Sequence, residues 1–106
     1  MKINFGMPIT DIKGEAIVEN EKAVTLGSVS CQALLASYSD EQNLSGKEKV
    51  ERFTLAALCS TETEADVSIE DVALLKKLIG KAYGPLVVGR AYEIIEPRSH
   101  GMREEA

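Results

Sequence analysis

Residues Gly80–Glu96 read GKAYGPLVVGRAYEIIE, and two incompatible folds can be built on them. Gly84-Pro-Leu-Val-Val-Gly89-Arg90 has nearly the glycine spacing of a phosphate-binding loop, which joins a strand to a helix in an α/β sheet. A Walker loop also needs a lysine for the terminal phosphates and a hydroxyl for magnesium. Here Arg90 and Ala91 stand in those places, Pro85 has no amide proton, and a helical pattern, not a strand, precedes Gly84. The same residues make better sense as a corner between two helices. Gly84 suits a left-handed helix end, and Pro85 suits the first turn of the next helix, where no amide donor is required. Gly89, inside an apolar helix, and Gly80, one turn before Gly84, suggest close approach by a neighbouring backbone.

Outward from that corner the chain reads as helices. Before it, Ser68-Ile-Glu-Asp71 resembles a capping box and leads a stripe of Val72, Leu75, Ile79, Ala82 and Tyr83, widened by Leu74 and Leu78. A helix over about 69–83 follows, expected to be the most buried element of the chain. After the corner, Val88, Ala91, Tyr92 and Ile95, with Leu86, Val87 and Ile94 beside them, predict a helix over about 85–96 that Pro97 stops. Further upstream, Ser45-Gly-Lys-Glu48 is a capping box ahead of VERFTLAALC, and predicts a helix over about 46–59. Its apolar positions Val50, Phe53, Thr54, Ala57 and Leu58 are assigned to the core, with Lys47, Lys49, Glu51 and Arg52 facing elsewhere. Leu26, Val29, Ala33 and Tyr38, with Leu34 and Leu35, predict another helix over about 26–38, capped by Thr25 or Ser28.

The N-terminal residues are different. KINF alternates polar and apolar, and Asp11-Ile-Lys-Gly14 has the ends of a type I turn, so a β-hairpin is expected within about 2–18, residues 2–10 against 15–18. Pro8 belongs at an edge or a break. ENEKAV reads as a polar connection ending in a brief extended piece, and STETEADV as a solvated linker without apolar period. The expected fold is mainly α (α+β): four helices with an N-terminal β-hairpin, one domain over 1–97 and a tail over 98–106.

Composition narrows the function classes. The 106 residues carry a formal charge of −5, against a surface that neutralises phosphates throughout, and they include no Trp for base stacking. No apolar run approaches the ~20 residues of a membrane-spanning helix, and the opening residues lack the apolar segment of a signal peptide, so a cytoplasmic protein is expected. Cys31 and Cys59 lie in apolar helical patterns where a thiol acts as a small hydrophobe, and neither forms a metal-ligating pair. DEQNLSGKEKVER aligns with a calcium loop when Gly46 is placed sixth, with Glu41, Asn43 and Ser45 at the first side-chain positions. The twelfth position, where a bidentate glutamate is required, is Arg52.

The only histidine, His100, is in the expected tail, away from any nucleophile. No acid, base and nucleophile converge, so no catalytic residue, cofactor or metal is assigned and a protein without enzymatic activity is expected. Lys76, Lys77, Lys81 and Arg90 form a candidate basic stripe and the candidate interaction surface. A helix-turn-helix reading would make LVVGRAYEII the recognition helix, too apolar to face a groove.

LLASYSDEQNLSGKEKVERFTLA and EDVALLKKLIGKAYGPLVVGRAYEIIE, with the opening MKINF and DIKG, resemble a group of small bacteriophage and prophage-encoded proteins. The resemblance spans most of the chain up to Glu96, rests on packing and capping residues, and transfers no catalytic or binding residue. It implies a viral or lysogenic setting in which compact acidic helical proteins act by binding other proteins. The leading expectation is therefore a noncatalytic protein-interaction module, an assembly factor or modulator of a phage or host protein, able also to pair with itself. The alternative is a small nucleic-acid-binding regulator that uses the basic stripe.

Overall fold

Side-chain caps fix where the helices begin. In the computed structural model, which describes residues 1–41 and 43–96, Thr25 opens helix α1 (Leu26–Leu35) with a reciprocal box. Its hydroxyl accepts from the Ser28 amide at 3.2 Å, and the Ser28 Oγ accepts from the Thr25 amide at 3.1 Å. Ser45 and Glu48 form the expected box at the start of α2 (Gly46–Thr61), with bonds of 3.1 and 3.0 Å. Ser68 accepts from the Asp71 amide at 3.1 Å to open α3 (Ile69–Ala82). Pro85 occupies the first turn of α4 (Pro85–Ile95). The fold is mainly α with some β, as the patterning predicts. Pro97, His100 and the expected tail lie outside the described residues.

The helix-to-helix corner is present, but its glycines act differently from the expectation. Gly84 is extended, with φ −87° and ψ −177°, and takes no left-handed cap. A residue before proline is pushed to extended backbone, and the Tyr83 amide already closes α3 on the Ile79 carbonyl at 3.1 Å. A Cβ on Gly89 would meet nothing within 4 Å, and one on Gly80 would meet only the Tyr92 hydroxyl, at 3.3 Å. The close backbone approach is instead at Gly27. There a Cβ would lie 2.7 Å from the Cys59 carbonyl oxygen and 3.1 Å from that of Phe5, so α1 meets both α2 and the N-terminal segment through a missing side chain.

The strands correct the expected hairpin in part. The chain does reverse at Asp11–Gly14: the Gly14 amide donates to the Asp11 carbonyl at 3.0 Å, and Asp11 Oδ1 accepts from the amides of Lys13 and Glu15. Thr10 bridges Ala16. The first strand, β1 (Lys2–Asn4), does not join that hairpin. It pairs antiparallel with β4 (Glu64–Asp66), with Ile3 opposite Ala65, so the segment expected to be a solvated linker supplies a strand. Ala65 and Val67 alternate with acidic neighbours, a period-2 signal, and both Ile3 and Val67 are buried. The polar ENEKAV stretch is also more ordered than expected. β2 (Val18–Glu19) and β3 (Lys22–Ala23) pair around Asn20 and Glu21, whose positive φ values of 52° and 67° suit a tight hairpin turn.

The core lies between these strands and the helices. Ile3, Phe5 and Ile9 meet Leu26 and Val29 of α1, Leu75, Leu78 and Ile79 of α3, and Ile95 of α4. Val72, Leu75, Leu78 and Ile79 of the α3 stripe are buried as expected, while Leu74 and Tyr83 are half-buried and Ala82 is exposed. α1 ends at Leu35, short of the expected residue 38, because Ala36 turns to extended backbone. Tyr38 still folds back, its hydroxyl donating to the Ala33 carbonyl at 2.6 Å.

Candidate functional site

Helix α2 presents two apolar faces, and only one of them is covered. Arg52, Leu55, Ala56 and Cys59 point inward. On the opposite side Val50, Phe53, Thr54 and Ala57 are exposed, Val50 to 62% and Phe53 to 64%, and Leu58 is half-buried. This reverses the expected orientation: the stripe assigned to the core faces outward and Arg52, expected outside, is inside.

Two local facts set that rotation. The Gly27 notch admits the Cys59 carbonyl, which brings the Cys59 side of α2 against α1. Arg52 is drawn in by Glu41: its Nη1 and Nη2 donate to the two carboxylate oxygens at 2.8 and 2.9 Å, with side chains only 10% and 11% exposed. The guanidinium holds the Glu41 carboxyl down to a pKa of about 2, the hydrogen bonds outweighing the cost of burial. These are the first and twelfth positions of the failed calcium alignment, so the mismatch there is itself a bidentate ion pair. Periodicity could not reveal it, since an arginine reads as a surface residue until its carboxylate partner is placed.

A groove of about 570 Å³ runs beside the exposed stripe. Leu34, Leu35, Leu44 and Phe53 contribute its apolar wall, and the Glu41–Arg52 pair and Tyr38 its polar part. Leu35, 56% exposed, extends the apolar surface from α2 onto the end of α1. The rim is braced from α3: Lys81 Nζ lies 2.9 Å from Asp40 and 3.5 Å from Glu41, and stands 4.9 Å from the centre of the Tyr38 ring. Asp40 is the chief cause of a raised Lys81 pKa, so this lysine is a fixed cation.

The candidate basic residues go to different neighbours. Lys81 serves the rim just described. Lys76 pairs with Glu96 at the end of α4 and lies over the Tyr92 ring. Lys77 is exposed on α3. Arg90 donates through Nη2 to the Asp11 carbonyl at 2.8 Å and through Nη1 to Glu93 at 3.2 Å, which ties α4 to the N-terminal turn. A shallow hollow of about 460 Å³ beside it is lined by Ile12, Pro85, Leu86 and Gly89, with Ile12 largely exposed.

Chemistry-bearing groups are sparse. Among the described residues no three His, Cys, Asp or Glu side chains are grouped to hold a metal ion. Burial pushes the Cys59 thiol up to about 12, far from a thiolate at neutral pH, consistent with its reading as a small hydrophobe. No described helix is long and apolar enough to cross a membrane. No protein family, curated protein or solved structure matches the chain.

Proposed function

We propose that the protein is a noncatalytic protein-interaction module, an assembly factor or modulator of another protein, working in the cytoplasm in the phage or prophage setting that the resemblance implies. The observation that carries this reading is the outer face of α2. Val50 and Phe53, one helical turn apart and both more than half exposed, adjoin Leu35 and the groove whose apolar wall Phe53 and Leu35 share. Apolar residues at helical spacing are normally covered, and a contiguous exposed patch of them is a mark of a binding surface. Aromatic anchors such as Phe53 are enriched in such surfaces.

The nucleic-acid reading has less support. Within the basic stripe, Lys76, Lys81 and Arg90 are already engaged with carboxylates or a backbone carbonyl, which leaves Lys77 of the four to meet phosphates. A photo-crosslinking residue at Phe53, with a control at exposed Lys77, tests the proposal in producing cells. Protein adducts at position 53 and not at 77 are expected. Absence of any protein adduct at 53, or salt-sensitive retention on DNA that is lost on Lys77→Glu and Lys81→Glu, overturns it.

A further inference from the structure

The corner between α3 and α4 shapes another cavity, one in which α2 has no part. Tyr83 before the corner and Val87 after it come against α1 and the β2–β3 hairpin, and a cleft of about 170 Å³ is left among them. Ile17, Val24, Val29 and Val87 make an aliphatic wall. Rigid parts hold that wall, since the Val24 amide donates to the Ile17 carbonyl at 2.8 Å and Val29 is buried in α1. An apolar space of about 150 Å³ takes a benzene-sized body. One side of the mouth is polar. There the Tyr83 hydroxyl donates to Gln32 Oε1 at 3.1 Å, and exposed Glu19 of β2 lines the cleft beside them.

The mouth presents mainly acceptors. Burial first, and the neighbouring Glu19 carboxylate next, raise the Tyr83 pKa, so the phenol keeps its proton and donates it to Gln32 while its oxygen can still accept. Lys22 stands opposite Glu19 in the hairpin register but closes no ion pair with it, and among the described residues the Glu19 side chain has no ionic partner. An unpaired carboxylate at the rim of an aliphatic cleft is complementary to a cation carried on an apolar body. Small-molecule sites are built this way, as mostly apolar hollows with a few placed polar groups. We infer that the cleft binds a small primary amine in its protonated form, with a ring or branched alkyl body against Ile17, Val24, Val29 and Val87 and its ammonium between Glu19 and the Tyr83 hydroxyl oxygen. A carboxylate of the same shape is repelled by Glu19, and an alcohol forgoes the charge-assisted bond. A partner protein's lysine carries the same ammonium, but its unbranched stem fills less of a cleft walled by branched side chains. The cleft shares no residue with the groove beside α2, so amine binding stands apart from the protein-interaction reading.

Methyl NMR of the intact chain, titrated at neutral pH with benzylamine and with benzyl alcohol, reads the outcome. Benzylamine is expected to move the methyl signals of Ile17, Val24, Val29 and Val87 and to bind about 10-fold or more tighter than the alcohol, the worth of one charge-assisted contact. Glu19→Gln, an exposed substitution, should bring the two ligands within about 3-fold of each other and leave the rest of the spectrum as it was. Val87→Phe, which fills the cleft, should abolish the binding of both, a dispersed spectrum confirming that the variant is folded. Nα-acetyl-lysine methylamide stands for a partner's lysine and is expected to bind more weakly than benzylamine. Cleft signals unmoved by benzylamine up to about 10 mM, a generous limit for so small a ligand, overturn the inference. So do equal affinities for amine and alcohol, an amine preference that survives Glu19→Gln, or tighter binding of the lysine compound. The crosslinking at Phe53 tests the protein-interaction reading separately from all of these results.

Discussion

Glu41 carries more of the structure than its place in a polar loop suggests. Its carboxylate anchors Arg52 of α2 with two bonds and also approaches Lys81 of α3, so one side chain joins the loop to two helices. Its folded pKa of about 2 lies below the ordinary value of 4.5. The stabilisation from this depression is therefore complete above about pH 4.5 and is lost as pH falls from there through about 2. Replacing Glu41 by Gln should cost about 2 kcal/mol at neutral pH, less than the roughly 3–5 kcal/mol of removing a buried ionic partner outright, because the amide oxygen still accepts one bond. Denaturant titrations of the two proteins should converge as pH drops through that window. Parallel curves down to the lower limit would show that the pair does not titrate as the geometry requires.

The elements are tied to one another by tyrosine hydroxyls that reach from one helix to the next. Tyr92 of α4 donates to the Lys76 carbonyl of α3 at 2.6 Å, and Tyr83 at the end of α3 donates to Gln32 of α1 at 3.1 Å. The contact most intolerant of change is Gly27 against Cys59 and Phe5, where the obstructing atoms are backbone carbonyls that cannot rotate away. Gly27→Ala adds helix propensity worth about 1 kcal/mol, yet should destabilise the protein by about 1–3 kcal/mol net, because α1 must move off α2. A thermal melt at or above that of the parent chain would refute the close approach. Element positions were readable from caps and periodicity: Thr25, Ser45, Ser68 and Pro85 mark starts that the structure keeps within a residue or so. What faces what was less readable. Val50 and Phe53 supply a sound helical stripe, but α2 has a second stripe in Leu55, Ala56 and Cys59. The choice between them rests on a glycine in another helix and an ion pair between Glu41 and Arg52. The β1–β4 pairing was hidden for a related reason, since Glu64 and Asp66 mask the alternation of Ala65 and Val67 and the partner strand is at the other end of the chain.

At the scale of the whole molecule, one core is closed by α1, α3, α4 and the inner face of α2, while the outer face of α2 is left exposed. On the proposed reading folding and association are separable, since Leu55 is buried in the core and Phe53 stands outside it. The candidate basic residues belong mostly to folding, with Lys76, Lys81 and Arg90 fastening elements to one another. The decisive measurement is the unfolding free energy of Phe53→Lys beside Leu55→Ala, made by denaturant titration at a dilution where the parent protein has the mass of a single chain. The account predicts that Phe53→Lys stays within about 0.5 kcal/mol of the parent, as an exposed substitution does, while Leu55→Ala loses about 2–5 kcal/mol. A loss of about 2 kcal/mol or more for Phe53→Lys at that dilution would place Phe53 in the core and contradict an α2 whose outer face is kept for a partner.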